Sequence, residues 1–233
     1  MAAWAAGAAG AAPASKPEPP KAARPAAAAP ATAAADETGF APIFNGKDLS
    51  GWTGGTKGYA VESGVLVCPK EGGGNIYTDK DYGDFVLRLD FKLTAGGNNG
   101  VGIRVPNGGH AAYDGMEIQI LDDTADQYRN LKVWQFCGSI YGVAAAEKGH
   151  LRPVGEWNAM EITARGRQVT VKLNGATVVD ADLDKASAPK TPDEKAHPGL
   201  KNKEGRIAFL GHGSRVEFRN IRVKELKGEA GAK

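Results

Sequence analysis

A carboxylate, an amide and a guanidinium stand at alternating positions in two short apolar segments of this 233-residue chain. In VGIRV the apolar Val101, Ile103 and Val105 take the odd positions and leave Gly102 and Arg104 on the even ones. In GMEIQIL, Met116, Ile118 and Ile120 share one parity, and Glu117 and Gln119 share the other. Side chains of a strand alternate between two faces, so each segment buries one row and presents the other. Glu117 can act as a base, Gln119 can both donate and accept, and Arg104 can only donate. Beside them Asn98, Asn99, Gly100 and Gly102 are polar or small and leave room for a hydroxyl-rich molecule. The competing account is a satisfied Glu117–Arg104 ion pair on an exposed sheet, which would contribute little.

Four histidines, His110, His150, His197 and His212, lack the spacing of a multi-histidine metal site. His212 lies between Gly211 and Gly213, at the expected tip of a hairpin joining Arg206–Leu210 to Arg215–Phe218. An uncovered imidazole there suits proton transfer; the alternative is a turn residue that only connects strands. His110 follows Asn107-Gly108-Gly109 in the loop between the Arg104 and Glu117 segments. It either reaches over the same face or stays on the surface. His197, in Lys195-Ala196-His197-Pro198, is expected to be solvated. Tyr141, beside Gly142, is the aromatic expected to be most open, whereas Tyr113, Tyr128, Trp134 and Phe136 default to core packing. Asp122 and Asp123 at the end of the Glu117 segment read as turn acids or as ligands of a divalent cation. No phosphate-binding loop, dinucleotide fingerprint, HExxH or GxSxG occurs. Gly72-Gly73-Gly74 and Gly96-Gly97 read as turn glycines.

The elements that must position these groups are short strands. Tyr59–Val61 and Val65–Val67 flank Glu62-Ser63-Gly64 as a hairpin. Asp84–Leu93 alternates Phe85, Leu87, Leu89, Phe91 and Leu93 against Arg88, Asp90 and Lys92, the pattern of a half-buried antiparallel strand with a wet outer face. Met160–Ala164 and Val169–Leu173 bracket Arg165-Gly166-Arg167, and Asn174-Gly175 is a hairpin signal into 177–182. In the last strand Val216 and Phe218 lie on even positions, Ile221 and Val223 on odd ones, so a bulge is expected near Arg219-Asn220. Residues 184–203 form a polar excursion. Many short strands with turns and no long amphipathic helix predict an all-β sandwich or jelly roll.

Composition bounds the rest. Residues 1–38 are dominated by Ala, Pro, Gly and Lys, too poor in apolar bulk to order themselves, and read as a disordered tether or as the remnant of a secretory signal. Residues 39–227 are enough for one β-rich domain, and 228–233 form a flexible tail. The formal net charge is +2 with signs interspersed, so nucleic-acid binding has no electrostatic support. No run approaches the ~18 apolar residues that span a bilayer. Cys68 and Cys137 read as free buried thiols, and oligomeric state is not legible.

The strings FNGKDLSGW (44–52), GNNGVGIRVP (97–106), GMEIQILDD (115–123), GSIYG (138–142), GEWN (155–158) and HGSRVEFRNIRVKEL (212–226) occur in an order that resembles the 3-keto-disaccharide hydrolase domain family. The likeness spans Phe40–Leu226. It implies a concanavalin A-like jelly roll of two antiparallel sheets, export to the periplasm or beyond, and action on glycosides oxidised at the sugar C3. It implies Glu117, Gln119 and Arg104 as the pocket face with His212 nearby, so that Glu117 and His212 are the expected catalytic groups and Arg104 and Gln119 expected contacts of the oxidised carbohydrate. Asn99, Tyr141 and His110 join those contacts from their places in the sequence. The family pattern often carries a His where Cys137 stands. A ketone at C3 acidifies the C2 proton, so one base can start an elimination at C1, with Arg104 or a divalent cation on the enolate oxygen. A non-catalytic carbohydrate-binding module of the same fold is the alternative.

Overall fold

The computed structural model describes residues 36–227, and the folded unit begins at Glu37. Of the expected tether only residues 36–38 are among those described, and the expected tail, 228–233, lies outside them. Thirteen strands follow in chain order: β1 (Ala41–Pro42), β2 (Trp52–Gly54), β3 (Ala60–Glu62), β4 (Val65–Cys68), β5 (Gly73–Thr78), β6 (Phe85–Leu93) and β7 (Asn98–Val105). After helix α1 (Ala111–Asp114) come β8 (Met116–Leu121), β9 (Trp157–Arg165), β10 (Gln168–Leu173) and β11 (Ala176–Asp182). Helix α2 (Leu183–Ala186) precedes β12 (Arg206–His212) and β13 (Val216–Glu225). Each helix has four residues, and among the described residues no helix is long and apolar enough to cross a membrane.

Two antiparallel sheets form the jelly-roll sandwich expected from the strand pattern. One runs β11-β10-β9-β6-β13-β4-β3, with β1 also on β13; the other runs β2-β5-β12-β7-β8. The inward rows meet between them. Phe85, Leu87 and Phe91 of β6 are fully buried, as are Ile103, Ile118 and Phe209 from the five-stranded sheet. Phe209 and Phe218, one from each sheet, close the gap with ring centroids 4.4 Å apart. The outward row of β6 is wet, as its alternation predicted. Arg88 pairs with Glu161 at 2.7 Å and Lys92 with Glu217 at 2.6 Å, and Arg219 stacks on the Trp157 ring.

Local turn chemistry explains the connections. Ser63-Gly64 and Asn174-Gly175 have positive φ at both central residues, which matches the twist of the hairpins they close. The expected bulge in β13 is present: its register with β6 shifts between Arg219 and Arg222, and Asn220 has φ 53°.

One expected hairpin is absent. β12 does not pair with β13; it lies between β5 and β7 in the five-stranded sheet, while β13 lies in the other sheet. Both strands are apolar on one row and turn those rows toward each other, so the chain crosses the core at Gly213–Arg215 instead of doubling back. His212 is thus the last residue of a central strand. Opposite it stands Gly73, and a Cβ on Gly211 would come within 2.4 Å of the Gly73 backbone, so strand packing requires glycine here. Gly73 and Gly74 belong to β5 and are not turn residues.

Candidate functional site

On the outer face of the five-stranded sheet, β7, β8 and β12 carry groups that form the floor of a cleft of about 300 Å³. Asn98 of β7, Glu117, Gln119 and Leu121 of β8, and His212 of β12 make its floor; His110, Ala112, Tyr113, Tyr128, Leu131, Gln135 and Tyr141 make its walls. The β7–β8 register sets the floor: Gly100 faces Gln119 and Gly102 faces Glu117. These glycines stand between Glu117 and β12, and the Glu117 side chain lies across the gap. A Cβ at Gly100 would meet Glu117 Oε1 at 2.4 Å. Gly100→Ala leaves the backbone unstrained but forces the carboxylate to rotate. Turnover of the substrate proposed below should fall by roughly 10–100-fold with the circular dichroism spectrum unchanged.

Glu117 Oε1 and His212 Nε2 are 3.9 Å apart, too far for a hydrogen bond and near enough for both to reach one bound molecule. The Glu117 side chain is 9% exposed and that of His212 is 47% exposed, so one group is sheltered and the other faces the opening. Gln119 Nε2 donates to Asn98 Oδ1 at 3.3 Å, and Gln135 Nε2 to the Tyr141 hydroxyl at 3.3 Å. Residues Gly138–Tyr141 lie along the open edge of β8: Gly138 N bonds Gln119 O, Gln119 N bonds Ser139 O, and Tyr141 N bonds Glu117 O. This covers an edge that would otherwise attract another strand and seats Tyr141 beside the floor. On the opposite wall, the rings of His110 and Tyr113 stack at 4.9 Å.

Five expected site residues, Glu117, Gln119, His110, Tyr141 and His212, therefore meet in one cleft. Arg104 and Asn99 do not. The β7–β12 register takes one extra residue on β7 between Gly102 and Val105, and Arg104 adopts φ 51°. A one-residue slip exchanges faces. Val105 turns to the cleft side, packing with Tyr77, Ala111, Ala208 and Leu210, and Arg104 turns inward. Its guanidinium, 1% exposed, donates to Gly83 O, Gly166 O and Asn202 O and pairs with Asp84 at 2.9 Å. Arg104 ties strand ends together and cannot touch a ligand in the cleft. Asn99 has the inward parity of Val101; it is fully buried, and its Oδ1 accepts from Leu210 N and Gly100 N. Asn98, one residue earlier, has the outward parity of Gly100.

The two aspartates at the end of β8 are not solvated turn acids. Asp122 is buried and accepts from Gly96 N and Thr124; Asp123 accepts from Cys137 N at 3.0 Å. Burial raises the Asp123 carboxyl above the usual range, against the pull of that bond. Among the described residues no three of His, Cys, Asp and Glu gather as metal ligands. Glu117 and His212 alone fall short of the three protein ligands typical of a catalytic zinc ion. Cys137, where the family pattern often has His, is buried and does not line the cleft; burial pushes its thiol up to about 12. Cys68 is also free and buried, and burial raises it too. A thiol-reactive disulfide at pH 8 should label neither cysteine in the native protein and both in denaturant.

With the geometry in place, the comparisons decide the family. The model of the 3-keto-alpha-glucoside-1,2-lyase-like domain matches residues 39–224. This chain belongs to that family. A 3-keto-disaccharide hydrolase from Bacteroides thetaiotaomicron is 28% identical, over 82% of this chain and 80% of its own. A crystal structure from Parabacteroides distasonis, named "putative glycosyl hydrolase", superposes with TM-score 0.72 at 33% identity, covering 80% of this chain and 99% of that one. A Bacillus subtilis protein with a galectin-like fold superposes with TM-score 0.54 at 13% identity over 80% of this chain and 94% of its own, which speaks to the fold alone.

The wall residues Tyr113, Tyr128, Leu131 and Gln135 were not expected in the site. Their segments lack strand alternation, and only tertiary folding brings them over β8. His197, expected to be solvated, is buried.

Proposed function

We propose that this chain, a member of a family whose relatives bear glycoside-hydrolase names, cleaves 3-keto-glycosides by elimination followed by hydration. The observation that carries this reading is the Glu117–His212 pair, 3.9 Å apart on the floor of a cleft walled by tyrosines. Two carboxylates flanking the bond, the usual glycosidase arrangement, are absent from the cleft lining, where Glu117 is the single acid. A substrate with a C3 ketone does not need the pair.

Glu117 takes the proton from C2, and the electrons of that C–H bond delocalise onto the C3 ketone oxygen as an enolate. Donors on the floor of the cleft, the amides of Asn98 and Gln119, are the groups available to this oxygen. The C1–O bond then breaks as a C1–C2 double bond forms, and the departing alkoxide receives a proton from His212. Water adds its oxygen to C1 and a proton returns to C2, which completes hydrolysis; release before this step gives a lyase. Tyrosine rings suit the apolar C–H faces of the sugar.

Incubation with a 3-keto-glucoside in heavy water tests the route. Aglycone release with deuterium at C2 of the hydrated sugar, or with C2 stripped of its hydrogen in an unsaturated product, is expected; release that leaves the original hydrogen on C2 in every product molecule would exclude the elimination route. Saturable sugar binding without turnover would replace the reading with a non-catalytic carbohydrate-binding module. Export to the periplasm or beyond is part of the proposal, supported by the Ala-rich opening of the sequence, and cell fractionation tests it.

A further inference from the structure

The segment Thr191–Asn202, polar in sequence, contains a buried pair that no step above uses. His197 Nδ1 stands 2.9 Å from Ala112 O, and its Nε2 stands 3.0 and 3.1 Å from the Asp193 carboxylate oxygens. Both side chains are inaccessible, at 1% and 5% exposure. The ring meets a backbone carbonyl oxygen on one side and a carboxylate on the other. Asp193 also accepts from Thr191 Oγ1 and Lys195 N. Burial works to raise its carboxyl, yet the bonds from Lys195 N, His197 and Thr191 hold it below the usual carboxylate range.

This pair touches two walls of the cleft that are remote in sequence. Ala112 belongs to α1, which carries Tyr113, and the Tyr113 ring packs on His197 at 5.1 Å. Asn202 Nδ2 adds a bond to Asp114 O at 2.7 Å, and a Cβ on Gly199 would lie 2.3 Å from the Asp114 carbonyl carbon. On the other wall, Asp193 N bonds Gly142 O at 3.2 Å, and a Cβ on Gly142 would meet Asp193 Oδ2 at 2.4 Å. Gly142 directly follows Tyr141. The glycines at 142 and 199 allow the close approach that fixes both walls to one point.

We infer that the Asp193–His197 pair is a clamp that sets the spacing between the Tyr113 and Tyr141 walls, and thereby holds the sugar without taking part in bond breaking. The inference rests on the reading of this cleft as a carbohydrate site. His197 touches no floor residue, so its loss should act on substrate capture and spare the Glu117 step: a positioning residue.

Three variants and two measurements test it. His197→Ala should raise KM for a 3-keto-glucoside by roughly tenfold with kcat within about threefold of wild type. His197→Asn, whose amide can still donate to Ala112 O but not reach Asp193, should fall between, and Lys190→Ala, at the residue just before the segment, should change neither constant. Hydrogen exchange should quicken in residues 110–115 and 139–144 together in His197→Ala. Exchange that quickens only within 187–203, or a fall in kcat with KM unchanged, would overturn the clamp. If the wild type turns over no 3-keto-glycoside, the function proposed above fails, and the exchange pattern alone decides the clamp.

Discussion

Glu117→Gln should lower kcat on a 3-keto-glycoside by about a thousandfold while the protein melts within about 2 °C of wild type. The amide has the same shape as the carboxylate and cannot take a proton, so the variant removes the base and little else. Structural cost is small because His212 Nε2, at 3.9 Å, lies beyond hydrogen-bond range of the carboxylate. His212→Ala should cost less, about 10–100-fold, since an exposed acid can be partly replaced by water. Steady-state kinetics with thermal melts on the same preparations measure both effects. A Glu117→Gln enzyme within threefold of wild type would remove Glu117 from the chemistry.

Arg104→Met should behave in the opposite way, with a loss of about 3 kcal/mol or more in unfolding free energy and a KM unchanged at temperatures where the variant is folded. The guanidinium donates to three backbone carbonyls and to the Asp84 carboxylate in a buried corner; methionine removes all four of these bonds and leaves Asp84 with only the Gly166 N–H. Urea titration reads the stability and kinetics read KM. Were Arg104 a ligand of the sugar, as its sequence parity suggests, KM would rise and stability would hold. The two outcomes separate cleanly.

Arg104 also shows where sequence reasoning stops. Parity along a strand assigns faces as long as the register holds, and for Glu117, Gln119 and the whole of β6 it does. The β13 bulge was legible because apolar residues stand on both sides of it and their phase changes. The β7 bulge leaves no such trace: Val105 is apolar and is buried whichever face it takes, against Ala208 and Leu210 here. His212 posed a different problem. Two patterned strands joined by Gly-His-Gly-Ser look like a hairpin, and nothing local tells that their apolar rows face each other across the core. His197 lies in a stretch of Lys, Pro and Ala with no periodicity, and its burial comes from partners 85 and 4 positions away, Ala112 and Asp193. Strand periodicity thus delivered the fold class and the Glu117–Gln119 row of the cleft floor. The walls depend on loop packing, which periodicity does not encode.

That separation has a consequence. Glu117 and His212 sit on strands that flank β7 in one hydrogen-bonded sheet, so their spacing is fixed by the width of the ladder and the glycines at 100 and 102. Every aromatic over them comes from a connecting segment. Under the function proposed above, exchanging those segments for longer or shorter ones would alter which aglycone is admitted and leave the Glu117–His212 spacing undisturbed, so a new clientele calls for new rims on an old anvil.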